Sequence, residues 1–145
     1  MGAEHIFYAS VQAFCERAKT ELPRLDVVIA NAGLTTRKFR ITEDNEETIT
    51  TNVVSTALLA CLLHPKLRET PRQHNPDTYF TVTGSELYEM AKFEERKVPA
   101  GKLFAALNSE NKSQMPDRYN VSKLVVTFFV KQLVAMAPVE DGRGG

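Results

Sequence analysis

Tryptophan is absent from the 145 residues, cysteine occurs only twice, and neither sign of charge prevails. The 18 basic residues cancel the 18 acidic ones. A chain with no basic block gives no electrostatic reason to expect nucleic acid or an anionic membrane as partner, which leaves small molecules and proteins. Cys15 and Cys61 are too few for a disulfide framework. Neither belongs to a CxxC or Cys/His cluster, so no metal site is expected, and both are read as reduced, buried thiols of an intracellular protein. Long apolar runs are missing too. The longest, Thr56 to Leu63, is far below the ~20 residues that span a bilayer. The opening residues, MGAEHIFYASVQ, lack the basic start and apolar stretch of a signal peptide. Ile6 stands where a myristoylation motif needs Ser or Thr. The expectation is a cytoplasmic protein without nucleic-acid or membrane partners.

What is present is ordinary globular composition, with 43% hydrophobic and 25% charged residues, enough for one core. Tyr8, Val11, Phe14, Cys15, Ala18 and Leu22 recur at helical spacing, and Pro23 closes that helix. Leu25 to Ala30 is short, β-branched and nearly all apolar, the pattern of a strand buried on both faces in a parallel sheet. Asn31-Ala32-Gly33 ends it with turn chemistry. Glu43, Asp44, Glu46 and Glu47 gather where a helix N-terminus favours acids, which predicts a long helix over 43–63 with Pro65 at its far end. Its broad apolar face holds Ile49, Val53, Thr56, Ala57, Ala60 and Cys61. A turn from Pro71 to Asp77 leads to a second strand, Thr78 to Thr83, which stops at Gly84. Residues 90–115 read as a surface excursion with one helical turn. Pro116 suits the first turn of a last helix, over 116–137, with Val121, Leu124, Val125, Phe128, Phe129 and Leu133 as its apolar stripe. The tail, 138–145, has no periodicity and reads as disordered. The order helix, strand, helix, strand, helix predicts an α/β fold with a parallel sheet.

Tyr119 and Lys123 stand four apart on the last predicted helix and so share a face. A lysine ammonium beside a phenol favours the phenolate, and the tyrosine can then exchange a proton with an alcohol or carbonyl. YxxxK alone is common on helix surfaces. Here Ser85 follows a strand directly in Val82-Thr83-Gly84-Ser85, at the carboxyl edge of the sheet, where open α/β folds bind ligands. Asn31-Ala32-Gly33 ends the neighbouring strand at that same edge, and Asn52 lies mid-helix, where asparagine has poor propensity. Each feature has a bland explanation when taken singly; together, in this order, they point to a site.

The set resembles the short-chain dehydrogenase/reductase family. Asn31-Ala32-Gly33 is similar to the family's NNAG motif, with Ala30 in place of the first Asn. "VTGS" resembles its serine strand, and Tyr119-Asn120-Val121-Ser122-Lys123 its YxxxK helix. The stretch Leu103 to Leu124 is similar to the insert and helix of the retinol-dehydrogenase-like branch, fungal reductases above all. The resemblance implies a Rossmann-type, doubly wound parallel fold over residues 1–137, with the two strands as neighbours, and NADP or NAD as cofactor. It implies that Tyr119 is the general acid/base and that Lys123 assists its ionisation and binds the nicotinamide ribose. Ser85 would hold the substrate oxygen, and Asn52 would maintain a proton relay through a bound water. Asn31, Ala32 and Gly33 would line the adenine-ribose side of the cofactor. The substrate would be a small-molecule carbonyl or secondary alcohol. Dimers would form through helices 43–63 and 116–137, between two copies or with a full-length relative.

The family opens with a strand, a GxxxGxG turn and a helix that receive the pyrophosphate; no such motif occurs in these residues. The expectation is an incomplete fold, without the N-terminal βαβ cofactor half and the C-terminal strands, in which the cofactor is weakly held. Three function classes therefore stay open. One is an NAD(P)-dependent oxidoreductase. A second is a non-redox isomerase, dehydratase or cyclase using the same Tyr, Lys and Ser. The third is a non-catalytic fragment that pairs with a relative.

Overall fold

The computed structural model describes residues 7–74 and 77–136; the expected tail, 138–145, lies outside them. The first helix, α1, runs Tyr8–Glu21 and buries Val11, Cys15 and Ala18, the spacing the sequence predicts. Strand β1, Val27–Ala30, pairs in parallel with β4, Tyr79–Val82, in the register Val27 to Tyr79 and Ala30 to Val82. These are the two expected strands, and they are neighbours as expected.

Between them the chain departs from the sequence reading. A short antiparallel hairpin, β2 (Ile41–Thr42) with β3 (Asn45–Glu46), occupies the start of the expected long helix. Glu43 and Asp44 form its turn, with Glu43 at φ 57°, so only Glu46 and Glu47 meet a helix N-terminus. Glu46 caps it: one carboxylate oxygen accepts from Thr48 N at 3.0 Å and the other from Ile49 N at 3.3 Å, a charge the exposed amides favour. Helix α2 (Glu47–Ile49) continues through a π-helical stretch, Thr50–Val54, into α3, Ser55–His74. The helix passes Pro65 instead of ending there, and it includes Pro71, which the sequence assigns to a turn. Pro65 is exposed, and the packing of Leu59, Leu63 and Leu67 beyond and before it outweighs the one backbone bond it removes.

The core has two parts. One joins Val11, Cys15 and Ala18 of α1, Val28 and Ala30 of β1, and Leu59, Leu63 and Leu67 of α3. The helical stretch Glu47–Thr70 is long and apolar enough by composition to cross a membrane, yet 61% of its apolar window is buried within the fold, as in a core helix. Leu63→Ala is expected to cost ~2–5 kcal/mol, read as a lowered denaturation midpoint, because the side chain is 1% exposed at the centre of this cluster.

The strand over 25–30 is not buried on both faces. Val28 and Ala30 are buried, whereas Val27 and Ile29 are 51% and 67% exposed. Tyr79 and Thr81 continue that open face on β4. The cause is that α1 and α3 pack on the same side of the pair. Cys61 is likewise exposed rather than buried, since it points away from the Leu59 and Leu63 side of α3.

The second core part joins Ile49 and Val53 to Phe93, Leu107 and Val121. Residues 90–115 are therefore more than a surface excursion. They hold 3-10 turns at Glu94–Lys97 and Glu110–Lys112 and a short helix α4, Leu103–Leu107, and a further 3-10 turn, Glu86–Met90, leads into them. Helix α5, Met115–Met136, follows. Its buried stripe is Met115, Arg118, Val121, Ser122, Lys123 and Val126; of the apolar set expected from sequence, Val121 is buried and Leu124 and Val125 pack against the second core part, whereas Phe128 is 51% exposed. Three polar members of the stripe are inside because each has a partner there.

Candidate active site

The carboxyl ends of β1 and β4 are tied to each other and to α5. Thr83 N donates to Ala30 O at 3.1 Å, and the Thr83 hydroxyl donates to Asn31 Oδ1 at 2.8 Å. Lys123 Nζ, reaching back from α5, donates to Thr83 O at 2.7 Å. The same ammonium lies 5.7 Å from the centroid of the Tyr119 ring, within reach of the ring's negative face. One turn of helix thus places Tyr119 and Lys123 side by side, with Lys123 directed at the strand end that carries Gly84 and Ser85.

Asn52 occupies the π-helical stretch and is 3% exposed. Its amide is bound on every side. Oδ1 accepts from Leu34 N at 2.8 Å, and Nδ2 donates to Leu34 O and to Ser122 Oγ, both at 2.9 Å. The Ser122 hydroxyl donates in turn to Tyr119 O at 2.7 Å. Asn52 therefore cross-links the loop after Gly33, the π stretch and α5. The poor helix propensity of asparagine at this position is offset by bonds that no aliphatic residue makes. π-helical turns inside α-helices often mark functional sites.

Gly33 sits against this cross-link. A Cβ added there would lie 3.2 Å from Asn52 Oδ1 and 3.8 Å from Lys123 Nζ. Glycine keeps open the space beside the ammonium.

Burial holds Lys123 below the ordinary lysine value of 10.5, because desolvation disfavours the charged form. A lysine depressed in the folded state adds stability above its unfolded pKa, and that stability is lost as pH falls through its folded value. Thermal midpoints of the protein are expected to rise relative to Lys123→Met as pH is raised from about 8 to 11. Parallel midpoints across that range would remove the burial penalty from the account.

Ser85 lies at the carboxyl end of β4, half-buried. Its Oγ accepts from Leu87 N at 3.3 Å and caps the 3-10 turn Glu86–Met90, which packs along α5. Among the described residues no hydrogen bond joins Ser85 to Tyr119. The geometry brings together Asn31, Gly33, Asn52, Tyr119 and Lys123 and sets Ser85 beside them on the adjoining turn; Ala32, between Asn31 and Gly33, is exposed.

Thr83, Ser122 and Leu34 belong to the site, and the sequence reading gave them no role. Thr83 lies within VTGS and Ser122 within YNVSK, patterns that carry no sign of what these two hydroxyls bind. Leu34 participates through its backbone alone, which no side-chain pattern reveals.

The chain is 39% identical over 133 residues to a short chain dehydrogenase/reductase, dmxR8, of Cryptosporiopsis sp. (strain 8999), matching 90% of this chain and 41% of that protein. It is 41% identical over 126 residues to the short chain dehydrogenase atnD of Emericella nidulans, covering 86% of this chain and 39% of the relative. No protein-family model matches. Among solved structures, an NADH-dependent reductase A1-R' complexed with NAD superposes with a TM-score of 0.66 at 16% identity, over 93% of this chain and 49% of the other. An alcohol dehydrogenase from the archaeon Thermococcus sibiricus, complexed with 5-hydroxy-NADP, gives 0.61 at 19% identity, over 94% of this chain and 48% of the other. At those identities the likeness is one of fold. The chain spans about two fifths of the length of the relatives it matches and about half of the solved chains. Motifs, strand pairing and relatives agree: this chain is a partial member of the short-chain dehydrogenase/reductase family.

Proposed function

We propose that the chain carries the proton-transfer end of an NAD(P)-dependent oxidoreductase site, which reduces a small carbonyl compound or oxidises the matching secondary alcohol. The observation that carries this reading is the buried Lys123 ammonium held between Thr83 O and the Tyr119 ring. An ammonium has three donors. One is spent on Thr83, and the rest are available to the ribose hydroxyls of a nicotinamide cofactor, over the space that Gly33 leaves open. The residues present thus fit the nicotinamide end of the cofactor. Asn31 and Ala32 would line its adenine-ribose side.

When bound, the cofactor supplies the hydride. The protein supplies the proton. Tyr119 gives its phenolic proton to the carbonyl oxygen, or takes one from the alcohol in the reverse direction. Lys123 stabilises the phenolate that results. Ser85 holds the substrate oxygen near the phenol, its hydroxyl oriented by the Leu87 amide. Asn52 secures the loop and α5 against each other, and a proton relay through a bound water near it belongs to the same reading. Dimerisation through 43–63 and 116–137 is also part of it, supported by the half-exposed Phe128 on α5.

The test is oxidation of NADPH or NADH by the protein, followed spectrophotometrically with a panel of small ketones and aldehydes. Consumption that requires both a carbonyl compound and the protein is expected with one of the two cofactors. Consumption that proceeds without the carbonyl compound, or none with either cofactor, contradicts the reading.

A further inference from the structure

Arg118 is 0% exposed, an uncommon place for a guanidinium, and it precedes Tyr119. Its Nε lies 3.5 Å from Glu46 Oε2, and its Nη1 lies 3.2 Å from Glu95 Oε1. Its Nη2 donates to Leu107 O at 3.1 Å. Glu46 and Glu95 are buried as well, at 0% and 5% exposed. One side chain of α5 therefore reaches the cap of α2, the 3-10 turn Glu94–Lys97 and the end of α4.

A buried group of two carboxylates and one guanidinium is a weak source of stability, since apolar replacements of similar volume are often neutral or better. Its value lies in geometry. On α5, Arg118 and Ser122 form one column four residues apart, and Tyr119 and Lys123 form the adjacent column. The first column is tied at both levels to the segment that bears Asn52: Arg118 pairs with Glu46, the N-cap at its start, and Ser122 accepts from Asn52. A rotation of α5 that frees the first column swings the second away from Thr83. Arg118 Nε and Nη1 meet the two carboxylates as buried ion pairs without hydrogen bonds, and Nη2 makes the one directed bond, to Leu107 O; a lysine at 118 offers a single point charge and could not face all three partners at once.

We propose that Arg118 is a positioning residue for the Tyr119–Lys123 pair: its buried bridge to Glu46 and Glu95 fixes the rotation of α5. This rests on the functional reading given above, so the test separates the two. The probe is the pH-dependence of acylation of Lys123 by an amine-selective reagent, measured residue by residue by mass spectrometry, with exposed Lys102 and Lys131 as internal references. It is run on the wild type and on Arg118→Met/Glu95→Met, which leaves Glu46 on its cap. Carbonyl reduction is measured alongside.

In the wild type Lys123 is expected to titrate below Lys102 and Lys131; if it matches them, the Tyr119–Lys123 site itself is wrong. In the double variant, with cooperative unfolding retained, Lys123 is expected to move toward the reference lysines. kcat is expected to fall by about 10²-fold with KM nearly unchanged. Wild-type titration and wild-type kcat in the folded double variant overturn the positioning role and leave the functional reading intact. Should the double variant fail to unfold cooperatively, Glu95→Gln, which keeps the volume and removes one charge, is read instead. It is expected to shift Lys123 and kcat in the same directions, and no change in either overturns the proposal.

Discussion

Replacing Tyr119 with phenylalanine is expected to lower kcat for carbonyl reduction by about 10²–10⁴-fold, the usual contribution of a positioned acid or base. Stability should stay within ~0.5 kcal/mol of the wild type. The two halves of this expectation have separate causes. The phenylalanine ring keeps the face that lies 5.7 Å from the Lys123 ammonium, and the Tyr119 carbonyl still accepts from Ser122. Only the hydroxyl is lost, and with it the proton that the carbonyl oxygen needs. KM for the substrate should change little, because Ser85 and the cofactor remain to hold it. Steady-state kinetics with the preferred cofactor decide the matter. A loss below tenfold would mean that another group delivers the proton.

The second large effect is structural. Asn52→Ala removes three hydrogen bonds at once and leaves Leu34 N, Leu34 O and the Ser122 hydroxyl short of partners. Each stranded buried group costs ~1–3 kcal/mol. Leu34 is only half-buried, so water compensates part of its loss. A total of about 2–5 kcal/mol is expected, a large share of the ~5–15 kcal/mol that holds an ordinary domain together. Ser122→Ala breaks one of the three bonds and is expected to cost ~1 kcal/mol. Chemical denaturation of the two variants gives the comparison. Equal losses would mean that the Leu34 pair contributes nothing and that the cross-link is confined to α5.

These effects also mark what the sequence made legible. Strand β1, its parallel partner β4 and helix α1 follow from short β-branched runs and one 3.6-residue stripe, signals local enough to survive any tertiary context. The placement of Asn31, Asn52, Ser85, Tyr119 and Lys123 at one edge was likewise readable, since strand ends and helix faces fix it. The hairpin at 41–46 was hidden because its acids mimic a helix start. The helix was expected to end at Pro65, a residue it tolerates because the core on either side is strong. The open face of Val27 and Ile29 was hidden for a different reason. Apolar content shows that a strand can be buried, but which face is covered depends on where the helices cross. Arg118 is hidden in the sequence because the apolar residues of α5 form a complete stripe without it. A charged residue three before Val121 and four before Ser122, on the inward column, was the available signal.

On the proposed function, Lys123 and the residues around it form the nicotinamide end of a cofactor site. Thermal unfolding of the protein with and without millimolar NADPH or NADH tests it most directly, with Lys123→Met in parallel. A cofactor at ten times its Kd stabilises the folded state by RT ln 11, about 1.4 kcal/mol. A midpoint raised by several degrees with one cofactor in the wild type, and unmoved in Lys123→Met, is the predicted result. A cooperative transition that neither cofactor shifts, or one that shifts equally without Lys123, would contradict the account.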